Sequence, residues 1–253
     1  MAKPESDPLQ KLGAAVIATR PVRRYRAAAF QVYVFGTSAV FITLAVVAHT
    51  VAYFPIDLVI TRAVQSYHGA AFDRLMYGLS WLGFMPQVDV IAILIMAALF
   101  MAGLRWEAVV ALFAACGIVV GTLVKLAVYR PRPSADLVRV FSQLPSSGFP
   151  SGHVLEFTAF GGFLAFLVYT LLKPSWGRNT LLVALALVIL FMSVSRIYQG
   201  QHWFSDVMGA YLLGSLWLAL TIKLYRWGKP RFFTDQPVAR ETPVTPASPA
   251  TAA

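Results

Sequence analysis

Residues 27 to 56 contain no Asp, Glu, Lys or Arg. That run is longer than the roughly 20 residues an α-helix needs to cross the hydrocarbon core of a bilayer. A chain carrying such a segment must bury it in lipid or in a very large core, and 253 residues allow only one domain or a compact bundle. The composition decides for lipid. With 58% hydrophobic and 13% charged residues, and a mean hydropathy of +0.67, there is too little polar surface to cover a soluble domain.

Further apolar stretches fall at about 85 to 104, 106 to 128, 152 to 172, 179 to 196 and 203 to 222. The expected fold is therefore an all-α bundle of six transmembrane helices. The formal charge of +10 does not point to nucleic acid, because the basic residues flank apolar runs and form no patch interleaved with stacking aromatics. Lys3, Lys11, Arg20, Arg23, Arg24 and Arg26 precede the first span, and Lys223, Arg226, Lys229, Arg231 and Arg240 follow the last. Positive residues anchor on the cytoplasmic side, so both termini are expected there.

On that topology the segments from Asp57 to about 84, from Tyr129 to Pro150 and near 197 to 202 lie outside. Asp57 to Met76 mixes apolar and charged residues in a helical rhythm, as a connector lying in the interface would. Residues 1–26 read as a basic cytoplasmic segment without a removable signal peptide, and 27–228 as the membrane domain. The tail from 229 to 253 is rich in Pro, Thr and Ala and is expected to be disordered. Cys116 is the sole cysteine, which excludes an intrachain disulfide and suggests a packing role.

Three polar clusters sit where a lipid-embedded chain should avoid them, all at the outer ends of expected spans. They are Lys125 with Arg130-Pro131-Arg132-Pro133, then Pro150-Ser151-Gly152-His153, then Ser195-Arg196 through His202 to Asp206. Lys and Arg bring fixed positive charge, and Arg can grip two phosphate oxygens at once. Ser151 and Gly152 lie at a helix start, where free N–H groups and the dipole favour an anion. His202 and Asp206 are four apart and share a face if the sixth span has begun there. The carboxylate can then hold one ring nitrogen while the other attacks phosphorus. His153 is left to protonate the leaving oxygen.

These clusters resemble the signatures of the type 2 phosphatidic acid phosphatase superfamily. Its pattern is Lys, six residues, Arg-Pro; Pro-Ser-Gly-His; and Ser-Arg, five residues, His, three residues, Asp. Lys125 with Arg132-Pro133, Pro150 to His153, and Ser195-Arg196 with His202 and Asp206 match it without gap or substitution. The resemblance implies that His202 becomes phosphorylated, Asp206 supports it, and His153 acts as acid and then as base for water. It also implies that Lys125, Arg132, Ser151, Gly152 and Arg196 hold the phosphate. It further implies a lipid phosphate substrate, no cofactor and a bacterial inner membrane; no metal is expected because the carboxylates and histidines do not group as a cation site, and the topology puts the site on the outer face.

Some polar residues fall outside the signatures. His49 reads as a packing group and His68 as interfacial. Arg130 is expected to meet lipid headgroups, and Asp89 to be structural. Glu156, one turn after His153, is a candidate for the floor of the substrate pocket, with a structural hydrogen bond as the alternative. Gly117 and Gly121 form a G-x-x-x-G step read as packing within the chain; the oligomeric state is left open. Two other functions fit parts of the pattern. One is a phosphotransferase that shares the covalent step; the other is a transporter or anion channel, since basic residues also line ion paths.

Overall fold

The computed structural model describes residues 8–232 apart from 68 and 143, and it is all-α. The chain runs through α1 (Pro8–Thr50), α2 (Pro55–Ser66), α3 (Ala70–Leu82), α4 (Gln87–Met101), α5 (Arg105–Ala115) and α6 (Gly117–Val128). After an extended strap, residues 129–150, come α7 (Gly152–Glu156), a π-helical turn (Phe157–Gly161), α8 (Gly162–Leu171), α9 (Trp176–Tyr198) and α10 (Phe204–Phe232). His68 and the tail beyond Phe232 lie outside the described residues; Lys229 to Phe232 still belong to α10.

Among the described residues, five stretches are long and apolar enough to cross a bilayer: Ala27–Thr50, Arg105–Val128, Gly152–Leu171, Trp176–Tyr198 and Phe204–Phe232. In hydrocarbon every backbone polar group must be satisfied within the segment, so these apolar runs are driven to helix. Counting α3 and α4 as one span bent by 62° brings the total to six. The sequence reading began that second span near residue 85. The structure begins it at Ala70, because α3 packs on α9 with Met76 and Ser80 buried, and the apolar run after Pro86 is only 15 residues long.

The segment after α1 also differs from a plain interfacial connector. α2 carries Pro at its first turn, and its Asp57 side chain accepts from the Phe54 N–H at 2.9 Å, closing the N-terminus. Its buried stripe is polar, namely Asp57, Thr61 and Gln65 at i, i+4 and i+8, while Ile56 and Val59 are exposed. This reversed amphipathicity suits a helix that turns its apolar side to lipid and its polar side to the bundle. Gln65 donates to the Arg139 carbonyl at 2.8 Å and accepts from the Arg139 N–H at 3.0 Å, which pins the strap to α2.

α10 is the central helix, packed on α1, α2, α5, α6, α7 and α8. The G-x-x-x-G step serves these contacts: a Cβ on Gly117 would stand 2.8 Å from the Trp217 ring, and one on Gly121 would stand 3.0 Å from Leu155. At the end of the bundle where α5 starts and α10 finishes, Glu107 accepts from Lys229 at 2.5 Å and from the Tyr225 hydroxyl at 2.9 Å, all three buried. His49 has its expected packing role, with Nδ1 2.9 Å from the Val128 carbonyl oxygen. Cys116 does not pack: it is exposed at the break between α5 and α6.

Candidate active site

Helix ends that are distant in sequence meet at the end of the bundle where α6, α7, α9 and α10 carry their polar clusters. Lys125 comes from the last turn of α6, Arg132 from the strap, and Ser151 and Gly152 from the start of α7. Arg196 comes from the last turn of α9, and His202 from the turn before α10. Lys125, Arg132, Gly152, His153, Glu156, Arg196 and His202 all line one cavity of about 760 Å³. Ser151 is the N-cap of α7, fully buried, and its hydroxyl makes no hydrogen bond.

His202 is 1% exposed, and its two nitrogens have different surroundings. Nδ1 lies 2.8 Å from the Gly148 carbonyl oxygen, which can only accept, so Nδ1 carries the hydrogen. Nε2 is then the lone-pair nitrogen, and Arg132 Nη1 stands 3.2 Å from it as a donor. Burial, followed by the charges of Arg132, Lys125 and Arg196, holds the His202 imidazole well below its ordinary pKa, so the ring is neutral at pH 7. A neutral imidazole with its lone pair on the side of a cationic cavity can act as a nucleophile toward an anion.

Asp206 lies beneath the ring, but not through adjacent turns of one helix. α10 begins at Phe204, so His202 precedes it, and the turn at Trp203 brings the carboxylate to 3.6 Å from Nδ1. The nearer acceptor is Gly148 O. Gly148 sits so close that a Cβ there would stand 3.0 Å from Asp206 Oδ2. Asp206 Oδ2 accepts from the Trp203 N–H at 2.9 Å, and Oδ1 accepts from Arg130 Nη1 at 2.6 Å.

Arg130 therefore does not meet headgroups. It is 1% exposed because both its neighbours in space, Asp57 and Asp206, are buried carboxylates that need a countercharge. Nη2 donates to Asp57 at 2.9 Å, Nη1 also donates to the Ser205 hydroxyl at 2.7 Å, and Nε donates to the Ala52 carbonyl at 3.2 Å. No spacing rule reveals this, because Asp57 and Asp206 lie far from Arg130 on either side in the chain.

Across the cavity the pairing is incomplete. Arg196 is fully buried; its Nη1 donates to the Ser80 hydroxyl, while Nε and Nη2 have no hydrogen-bond partner. Lys125 donates to the Ser147 carbonyl at 2.9 Å, and Arg132 to the Ser146 and Gln201 carbonyls at 2.7 Å each. His153 Nε2 is also without a partner. The Phe84 ring meets the His153 ring edge-on at 4.9 Å and lies under the Arg196 guanidinium at 5.1 Å. Gly83 lets this happen, since any Cβ there would collide with the imidazole. Ser80, Gly83 and Phe84 belong to the bend between α3 and α4, and the sequence reading missed them; the Gly-Phe-Met-Pro break was the available signal.

Glu156 shares the cavity with Asp89, close enough for the two charges to interact, and its Oε2 is buried without a partner. The rest of the wall is apolar. Met85, Ile93, Leu112 and Val119 line it while also being exposed on the outside of the bundle, so the cavity opens sideways between α4 and the α5–α6 span. A second cavity of about 580 Å³ lies under the strap and shares Arg132, Leu144, Pro145 and Ser146 with the first.

The family model described as the PAP2 superfamily matches residues 105–230. Phosphatidylglycerophosphatase B of Bacillus subtilis is 28% identical over 184 residues, covering 70% of this chain and 86% of the relative. The crystal structure of a transmembrane PAP2 type phosphatidylglycerolphosphate phosphatase from Bacillus subtilis aligns with a TM-score of 0.68 at 24% identity, covering 79% of this chain and 99% of that one. LpxE from Aquifex aeolicus aligns with a TM-score of 0.55 at 20% identity, covering 67% and 96%. The chain is an integral membrane protein and belongs to the PAP2 superfamily of membrane lipid phosphatases.

Proposed function

We propose that this phosphatase hydrolyses a lipid phosphate through a phosphohistidine on His202, without a metal. Lipid would slide in through the lateral opening, and its phosphate would displace Arg132 Nη1 from Nε2 to lie among Lys125, Arg132, Arg196 and the first-turn N–H groups of α7. Nε2 attacks phosphorus, and the bond from phosphorus to the lipid oxygen breaks. That oxygen takes a proton from the imidazolium form of His153, whose unpartnered Nε2 lies on the cavity and which is left neutral. His153 then takes a proton from water, the water oxygen attacks phosphorus, and the nitrogen–phosphorus bond breaks to release inorganic phosphate. The cavity under the strap gives water and phosphate a route that avoids the bilayer.

The observation that carries this reading is the neutral lone pair of His202 Nε2 facing three cationic side chains in a laterally open cavity. Three fixed cations supply the charge that a divalent metal would otherwise bring to a phosphoryl group. The positive tails favour both termini in the cytoplasm and the site on the outer face, as in the inner membrane of a bacterium. Incubating the purified protein with a single lipid substrate in EDTA tests the whole scheme. The expected result is released phosphate and an acid-labile phosphoenzyme, both lost in His202→Ala. Activity only on adding an acceptor lipid would establish transfer instead.

Among lipids, the acidic pair favours a phosphomonoester next to a hydroxyl-bearing headgroup, the chemistry named in the Bacillus subtilis relative. A diphosphate would bring its second phosphate toward Asp89 and Glu156, where like charges repel in a low dielectric. A hydroxyl would instead satisfy the unpartnered Oε2 of Glu156. Glu156→Gln is expected to raise turnover of a polyprenyl diphosphate relative to phosphatidylglycerophosphate by about 3- to 10-fold, the scale of one neutralised repulsion at a wet site. An unchanged ratio across a lipid panel would remove Glu156 from substrate choice.

A further inference from the structure

His202 Nδ1 has one hydrogen-bond acceptor at 2.8 Å and a carboxylate 3.6 Å away, and one residue holds both. The nearer is the Gly148 carbonyl, and Gly148 is held by its own N–H donating to the Arg130 carbonyl at 2.8 Å. The other is Asp206, whose Oδ1 is held by the Arg130 side chain at 2.6 Å. The Arg130 N–H in turn donates to the Ser147 hydroxyl at 2.9 Å. Asp57 completes the lock. It takes Arg130 Nη2 at 2.9 Å, the Ser205 N–H at 2.7 Å and the Ser205 hydroxyl at 2.7 Å, which joins α2 to the first turn of α10.

We infer that Arg130, braced by Asp57, is the positioning residue for the nucleophile: its backbone carbonyl holds the Gly148 acceptor and its guanidinium holds the nearby Asp206 carboxylate, so that the His202 ring turns Nε2 toward phosphorus. The inference rests on the phosphohistidine reading above. Arg130 makes no hydrogen bond to His202 and lines the cavity under the strap, not the larger one that would hold phosphate; both Arg130 and Asp57 are buried. A guanidinium is needed because three separate nitrogens must reach Asp57, Asp206 with Ser205, and Ala52 at fixed angles. An ammonium offers one nitrogen only.

The lock also explains why Asp206 stands at 3.6 Å and not in direct contact with the ring. With its charge matched by Arg130, the carboxylate leaves the Nδ1 hydrogen to a neutral carbonyl, and the imidazole keeps its neutral form. The charged and titratable groups facing His202 are then Asp206 below and Arg132, Lys125, Arg196 and His153 across the cavity. Removing Arg130 would leave Asp206 as an uncompensated charge next to Nδ1.

The test compares Arg130→Lys with the double variant Arg130→Met, Asp57→Asn. The double variant removes one positive and one negative charge together, so the buried cluster keeps its net charge. Active sites are counted by the phosphoenzyme formed, and inhibition by inorganic phosphate reports the intact cationic wall. Positioning predicts that turnover per counted site falls about 100-fold in the double variant and about 10-fold in Arg130→Lys, the scale expected for a slightly misplaced reacting group. Phosphate inhibition should stay within about 3-fold of the parent, since no phosphate-holding residue has moved. The acid limb of kcat/KM should move to higher pH in the double variant. A merely structural role would lower the number of counted sites while leaving turnover per site and the pH profile unchanged, and that result overturns the inference. If the double variant does not fold, Arg130→Lys decides alone: parental turnover per site sinks the idea. A parent protein that releases no phosphate and forms no phosphoenzyme would instead refute the reading on which the inference rests.

Discussion

Arg130 and Arg196 are both buried at the same end of the bundle, 1% and 0% exposed, yet they live in opposite environments. Arg130 has all three nitrogens bonded and sits between two carboxylates. Arg196 has no carboxylate, one short bond to Ser80, an aromatic face, and two nitrogens without partners on a cavity wall. A buried charge without a counterion is costly, and it persists where an anionic ligand completes it. On the proposed mechanism the contrast separates scaffold from site: the saturated cluster would hold the nucleophile, and the unsaturated one would receive the phosphate.

The largest effect should come from neither arginine. His202→Gln keeps a polar group of similar size but has no ring lone pair, and turnover is expected to fall by at least about 10⁴-fold, as when a covalent nucleophile is lost. A phosphoenzyme still trapped in this variant would place the nucleophile elsewhere. Next come the two arginines, which should split activity from stability. Arg196→Met is expected to lower kcat/KM by about 100- to 1,000-fold, the scale of losing one fixed charge on the transferring group. Thermal unfolding in the same detergent should show it no less stable than the parent, since the unpaired charge is gone. Arg130→Met should show the reverse emphasis, destabilising the fold by about 3–5 kcal/mol because Asp57 and Asp206 lose their shared countercharge. Equal stability losses in the two variants would erase the distinction drawn above.

The smallest effect concerns protons. The proposed attack needs the neutral His202 ring, and burial with the facing cations holds its pKa well below the ordinary imidazole value. As pH falls through the usual histidine range the folded ring therefore stays neutral, and the acid limb of kcat/KM should lie clearly below about pH 6.5. An acid limb at the ordinary imidazole value would mean that the cations facing Nε2 do not act on it.

Much of this was legible in the sequence. The charge-free run at 27 to 56 and its successors become helices because lipid leaves the backbone no other way to satisfy its hydrogen bonds. Lys125, Arg132, Ser151, Gly152, His153, Arg196 and His202 stood out because charged and hydroxyl groups are costly at span ends unless they converge on a task. Arg130 was misread for the same reason: next to a span end, a lone arginine looks like a headgroup anchor, and only Asp57 and Asp206 arriving from α2 and α10 show otherwise. The Gly-Phe-Met-Pro break signals a bend but not the ring contact that Gly83 permits, and the Gly148 carbonyl carries no side-chain signal, so neither contact could be read from residue types.

What the amino-acid order determined alone is the solvent, the helices, and which functional groups stand at their ends, since hydrophobicity and residue spacing are local properties of the chain. What the tertiary structure decided is which of those groups are neutralised and which are left open. Pairing is a matter of a few ångströms between segments that meet only after the bundle has packed, and here those ångströms divide one buried arginine from another.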